Sequence, residues 1–221
     1  MKISFFKPLF IAVMATLLVC VNVNAQKIDN PYWPGTITLK DGTIKDGWIK
    51  IPSFSREKKI EFLVTKKDVI ENINREDIAT LSITSERGYE YRFENVPVVN
   101  TIKGNTSLGT FLLLVAAKND YVTFYVQSQR YTVDEETGKI LLYYRYRQGY
   151  DFPTTTYYIR KKDAEKANLF YVTEHLAGIK KGVRYHLTED PDLIKRVENK
   201  ELTSDDIEEI ITTYISTTKN M

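Results

Sequence analysis

Over most of the chain, apolar and polar residues alternate with a period of two, the pattern of strands that bury one face. Residues 35–51, GTITLKDGTIKDGWIKI, show it most clearly. Ile37 and Leu39 alternate with threonines and Lys40 up to Asp41-Gly42, and the chain returns through Thr43, Ile44 and Lys45. Asp-Gly predicts a two-residue hairpin turn, whose central positions both take positive φ. Asp46-Gly47 interrupts the returning strand and predicts a bulge, after which Trp48 and 49–51 continue it. More strands are expected at 59–64, 69–73, 78–84, around Tyr89, Tyr91 and Phe93, and at 111–117, 121–127, 139–147, 155–160 and 169–172. Residues 95–108 carry Pro97, Gly104 and many polar side chains and are expected to form a long loop. Short strands joined by polar turns, with no long helices between them, predict a mainly β fold: an antiparallel sandwich, roll or barrel.

The period changes after Thr173. Leu176, Ile179, Val183 and Leu187 recur every three or four residues, one face of a helix, although Gly178 and Gly182 weaken it. Asp190-Pro191 predicts a helix cap followed by proline in the first turn, with Leu193, Ile194 and Val197 as the apolar side. Thr203 with Asp206 three residues on resembles a capping box, and Ile207, Ile210, Ile211, Tyr214 and Ile215 make the stripe of a last helix. That stripe is expected to pack on the rest of the protein rather than serve a partner. The expected organisation is a signal peptide at 1–25, a β-rich domain at 26–172 and a helical C-terminal segment at 173–221.

The start of the chain has a different logic. Lys2 and Lys7 precede an apolar run over 9–21, and Val23-Asn24-Ala25 supplies a small-residue cleavage site. The run is short for a membrane span, which needs about twenty residues, and fits a secretory leader cut before Gln26. A retained anchor, or a lipoprotein modified at Cys20, are the alternatives; Val19 before that cysteine is bulkier than lipidation favours. The expected location is therefore exported, periplasmic or extracellular. Without the leader, 29 basic residues face 29 acidic ones, since the leader takes two of the 31 Lys and Arg and none of the acids. A neutral chain has no global reason to bind nucleic acid. It also keeps no cysteine, so its stability rests on a packed core.

The chain resembles a group of uncharacterised secreted proteins of Bacteroidetes-type bacteria. The resemblance rests on the Val-Asn-Ala-Gln junction, on the hairpin from Gly35 (GTITLKDG) with its following Gly47-Trp48-Ile49, and on two C-terminal patterns. These are DPDLIKRV from Asp190 and DDIEEIITTY ending at Tyr214. Many members have Cys-Pro where this chain has Asp190-Pro191. The resemblance implies compartment and architecture and no activity.

Chemistry is sparse. The two histidines, His175 and His186, are eleven residues apart, without metal-ligand spacing, and are expected as surface or packing residues. No nucleophile elbow, phosphate loop, dinucleotide fingerprint or zinc-protease motif occurs, and no cofactor or metal is expected. Paired carboxylates could serve a glycosidase: Asp41 with Asp46, or Asp134, Glu135 and Glu136, although turn chemistry accounts for both sets. The most suggestive stretch is 143–160. Strand alternation places Tyr143, Arg145 and Arg147 on one face, and Tyr158 and Arg160 on one face of the next strand; if the two strands pair, tyrosines and arginines share an outward surface. An ordinary solvated sheet face is the plainer alternative.

The function expected from the sequence is therefore a secreted or envelope-associated, non-enzymatic binding protein whose ligand-binding residues are Tyr143, Arg145, Arg147, Tyr158 and Arg160. Its partner would be an envelope polysaccharide or another envelope protein, with no nucleic acid and no membrane span after cleavage. The alternative is a glycan hydrolase using paired carboxylates. The leader itself is testable: the intact mass of the exported protein is expected to match a chain beginning at Gln26, and a mass showing a diacylated Cys20 would refute the cleavage site.

Overall fold

The computed structural model describes residues 30–128, 131–134, 136–142, 144–147, 150–153, 155–172 and 178–221. The protein is mainly β with a helical C-terminus. Fourteen strands are described: β1 (Tyr32–Leu39), β2 (Ile44–Lys50), β3 (Lys59–Leu63), β4 (Glu71–Asn74), β5 (Ile78–Thr84), β6 (Glu90–Asn100), β7 (Thr106–Lys118), β8 (Val122–Ser128), β9 (Tyr131–Val133), β10 (Ile140–Leu142), β11 (Tyr144–Arg147), β12 (Tyr150–Pro153), β13 (Thr155–Lys161) and β14 (Ala167–Val172). Three helices follow: α1 (Gly178–His186), α2 (Pro191–Glu198) and α3 (Ile207–Thr217).

Ten strands form one sheet in the order β14-β13-β8-β7-β6-β5-β1-β2-β3-β4. Its β14 end curls back and pairs in parallel with β6, Ala167 with Val98 and Asn168 with Val99. This closes β6, β7, β8, β13 and β14 into a barrel, while β5, β1, β2, β3 and β4 extend from β6 as a wing. β9 pairs with β10, and β11 with β12, as separate two-stranded ribbons.

The alternation of these strands divides the side chains between two cores. Val96, Val98, Phe111, Leu113, Tyr125, Tyr158 and Ala167 fill the barrel interior. Their neighbours in sequence, Phe93, Leu112, Leu114, Phe124, Val126, Tyr157 and Ile159, point outward into a larger core. That core also takes Trp33, Ile37, Ile49 and Leu81 from the wing and Ile179, Val183, Leu193 and Val197 from the helices. Ile207, Ile210, Ile211 and Tyr214 of α3 lie in the same core. Burying one such side chain stabilises by roughly 1.5–3 kcal/mol.

Local chemistry explains where the elements stop, and it corrects several expectations. The first hairpin turns through three residues, Lys40 to Gly42, because the Leu39 N–H donates to Thr43 O at 2.8 Å and only Gly42 takes positive φ. β2 has no bulge at Gly47; its register with β1 runs unbroken and pairs Gly47 with Gly35. Glycine is needed there because a Cβ would lie 2.3 Å from the Leu63 carbonyl oxygen and 2.7 Å from the Phe62 ring of β3. The expected loop at 95–108 is strand for most of its length. Pro97 is accommodated between the last residue of β6 paired with β5, Glu94, and the first paired with β14, Val98, where one side of the strand has no partner. Residues 139–147 are two strands, not one.

Asp190 caps α2, accepting the Leu193 N–H at 2.9 Å, with Pro191 in the first turn. Thr203 and Asp206 form the reciprocal capping box, and one 3-10 turn, Ser204–Asp206, leads into α3. Gly182 has a packing reason to interrupt a helix-forming sequence: a Cβ would lie 2.2 Å from the Phe170 carbonyl oxygen of β14. Gly182→Ala is accordingly expected to destabilise the protein by about 1–3 kcal/mol through overpacking, although alanine is the better helix former. Denaturant unfolding checks it, and equal or higher stability would mean that α1 does not depend on this close approach.

Candidate functional site at the barrel mouth

One end of the barrel is closed by charge. Glu94 shares the inward face of β6 with Val96 and Val98 and is 5% exposed. Its Oε2 accepts the Tyr125 hydroxyl at 2.7 Å and the Arg160 Nη2 at 2.7 Å. Its Oε1 accepts Arg92 Nε at 3.0 Å and has Lys118 Nζ at 3.9 Å. Burial alone would push this carboxyl up; the bonds from Tyr125 and Arg92, with the charges of Arg160 and Lys118, hold it below the usual range. The Tyr125 hydroxyl is pushed upward by its burial and by Glu94, while the Arg160 guanidinium lies 5.3 Å from the centre of its ring. Three cations thus converge on one buried acid, leaving the mouth positive.

Outside this plug lies a depression of about 360 Å³, lined by residues 118–123 and by Arg160, Lys161, Lys162 and Ala164. Lys118, Arg160, Lys161 and Lys162 are its cations, and Asp120 is the one acid in the lining. Lys162 is exposed, and its ammonium has no side-chain partner among the described residues. Behind the wall, Glu189 accepts Lys161 Nζ at 2.5 Å, the Tyr214 hydroxyl at 2.6 Å and the Tyr121 hydroxyl at 2.7 Å. This carboxylate joins the β7–β8 turn, β13 and α3. Although burial opposes ionisation, the three bonds bring its pKa down to about 2. Tyr121 rises to about 12, by desolvation first and by Glu189 second. Asn119, at the β7–β8 turn, donates to the Ile215 carbonyl at 2.8 Å and to Thr218 Oγ1 at 3.0 Å, so the same turn is fastened to the end of α3.

The five residues expected to share one face are not brought together by strand pairing. Tyr143 lies outside the described residues. Arg145 and Arg147 belong to β11, which pairs with β12. Tyr158 and Arg160 belong to β13, which pairs with β8 and β14. The outward face expected for Tyr158 is the barrel interior: it is 3% exposed, and its hydroxyl donates to Gln127 Oε1 at 2.7 Å. Arg160 lines the mouth. Glu94, Lys118, Lys161 and Lys162 were not expected from sequence. The one available signal was parity, since an acid at 94 in phase with Val96 and Val98 marks a charge on an apolar face.

Three of the carboxylates considered for hydrolysis, Asp41, Asp46 and Asp134, are engaged locally. Asp41 accepts the Thr43 N–H at 2.9 Å, and Asp46 accepts Thr36 Oγ1 at 2.6 Å. Asp134 holds its turn through the Glu136 N–H at 3.0 Å and Thr137 Oγ1 at 2.7 Å; Glu135 lies outside the described residues. The Asp41 and Asp134 carboxyls sit below the usual range because of these bonds. A glycosidase general acid needs the opposite shift. His175 lies outside the described residues, and His186 is buried with a ring nitrogen 3.1 Å from the Leu169 carbonyl. Among the described residues no group of three His, Cys, Asp or Glu side chains is placed to hold a metal ion, and no helix is long and apolar enough to cross a membrane.

Two groups shape successive, slightly overlapping parts of the acid limb of the stability curve. Desolvation, helped by the Lys161 charge, lowers the His186 pKa from 6.5 to about 4, so the stability tied to its neutral form is lost as pH falls through that interval. Glu189 is lowered from 4.5 to about 2, so its contribution is complete above the first value and lost toward the second. Glu189→Gln is expected to lower stability at neutral pH and to flatten the loss between pH 4.5 and 2. Denaturant midpoints across that window test it; an unchanged acid limb would mean that other groups dominate.

Set beside family models, curated proteins and solved structures, the chain matches none of them.

Proposed function

We propose that this is an exported, non-enzymatic binding protein of the cell envelope that captures an anionic polymer, an envelope polysaccharide carrying acidic groups, at the mouth of its barrel. The observation that carries this is the lining of the depression, where Lys118, Arg160, Lys161 and Lys162 face a single acid, Asp120. Because the whole chain without its leader is neutral, this local excess distinguishes one surface rather than reflecting a basic protein. Arginine offers a planar donor fork to carboxylate or sulfate groups, and Tyr121 adds a ring to the wall for a sugar face. The leader and the resemblance to uncharacterised secreted proteins support export. Asp41, Asp46 and Asp134, three of the acids named for a hydrolase, are occupied in turn and strand contacts, which supports binding over hydrolysis.

Lys118 and Lys162 are the residues to alter, because Arg160 and Lys161 bond directly to buried or half-buried carboxylates, whereas Lys118 stands 3.9 Å from Glu94 and Lys162 is exposed, so Lys118 is only neutralised. The double change Lys118→Gln with Lys162→Glu is expected to weaken retention on a sulfated dextran by on the order of tenfold at low salt, with an unchanged melting temperature showing that the fold is intact. Neutral dextran should retain neither protein. A control with the same charge change on other exposed lysines, Lys59→Gln with Lys195→Glu, should bind like the parent. Equal weakening in both doubles would reduce the effect to net charge, and unchanged retention in the first would remove the mouth as the site.

A further inference from the structure

The two ends of the ten-stranded sheet are finished differently. β14 is closed onto β6, whereas β4 has β3 on one side and no strand on the other among the described residues. The direction of its open groups follows from one bond: the Arg75 N–H donates to the Lys58 carbonyl beside β3 at 2.9 Å. Main-chain groups alternate in direction along a strand, so Ile73 and Glu71 face β3, while Asn72 and Asn74 turn theirs outward. Open edges are commonly guarded by proline, lysine or a bulge. β4 (ENIN) has neither residue, and its register with β3 runs without a shift.

The surroundings of this edge favour a particular occupant. Val69 is 92% exposed and Ile70 47%, directly ahead of the strand, with Val64 at 65% in the same hairpin. The one charge on β4, Glu71, is already neutralised by Lys45 of its own chain at 2.7 Å. Lys66 and Lys67 with Asp68 precede the strand, and Arg75 with Glu76 and Asp77 follow it, a net charge of +1 before and −1 after. A segment that is basic before and acidic after is complementary to itself when run antiparallel. Such a pairing also brings the exposed valine and isoleucine of each copy over the edge of the other.

We propose that β4 pairs with β4 of a second copy of this chain, antiparallel about a two-fold axis near Asn72, making one sheet continuous through both protomers. The strand is short, so its few main-chain bonds act together with the burial of Val69 and Ile70. The site lies on the wing and is independent of the barrel mouth.

Sedimentation of the protein up to about 100 μM is expected to show a monomer–dimer equilibrium. Ile70→Lys, at a half-exposed position, and Asn72→Pro, which removes an outward donor while leaving the bonds to β3, should each weaken the dimer at least about tenfold. Circular dichroism and melting temperature monitor the fold, and Ile70→Lys decides the matter if the proline variant fails to fold. Cys20 is the one native cysteine, so Asn72→Cys with Cys20→Ser carries a single thiol and should oxidise to a covalent dimer. A monomer at every concentration overturns the proposal, including the case where the edge receives a different protein or a lipid surface. So does a dimer that Ile70→Lys leaves intact and Asn72→Cys does not cross-link.

Discussion

The contact on which the rest of this structure depends is a short parallel one, Ala167 and Asn168 of β14 against Val98 and Val99 of β6. Without it, β7, β8 and β13 would be strands of an open sheet with one face available to solvent. With it, both of their faces are buried. The inner face becomes a narrow core of Phe111, Leu113, Tyr125 and Tyr158, and the outer face becomes the floor on which the helices pack. Ala167 is fully buried at the closing point, where a small side chain lets the two strands enclose the interior.

Closure also creates the polar chemistry. A barrel this small is filled by side chains, and its apolar filling needs polar ends. At one end the Tyr158 hydroxyl meets Gln127, which in turn donates to Ser55 Oγ at 2.8 Å. At the other, Glu94 receives Tyr125, Arg160 and Arg92. A buried carboxylate is costly unless its oxygens are fully satisfied, and here the satisfaction exceeds the need. The surplus cations stand at the mouth, beside Lys161 and Lys162, so the basic surface is a by-product of solving a burial problem. Glu189 solves a second one, holding Tyr121, Lys161 and Tyr214 together where the barrel meets α3.

How much of this could be read beforehand depended on whether the signal was local. The helix start at Asp190-Pro191 and the capping box at Thr203 lie within a few residues, and both were legible because capping is decided by adjacent main-chain donors. The strand at Ile78–Thr84 and the two strands on either side of Asn119 were legible from alternation for the same reason. The two-residue turn expected at Asp41-Gly42 was wrong in size, since Gly42 serves equally well after a type I turn with one extra residue. The bulge expected at Gly47 and the weak helix expected at Gly182 had the right residues and the wrong cause. Each glycine answers to a carbonyl oxygen on a neighbouring strand, that of Leu63 for Gly47 in β2 and that of Phe170 for Gly182 in α1.

By itself, then, the sequence determined the mainly β class, the helical end and the caps, because periodicity and turn chemistry act between near neighbours. It could not determine which strands meet. Tyr158 and Arg160 have the alternation of a solvated face, and their placement inside the barrel and at its mouth depends on β14 returning to β6, a contact between residues about seventy positions apart in the chain. Side-chain order along a strand says which residues share a face; only tertiary closure decides whether that face sees water, core or a charged partner.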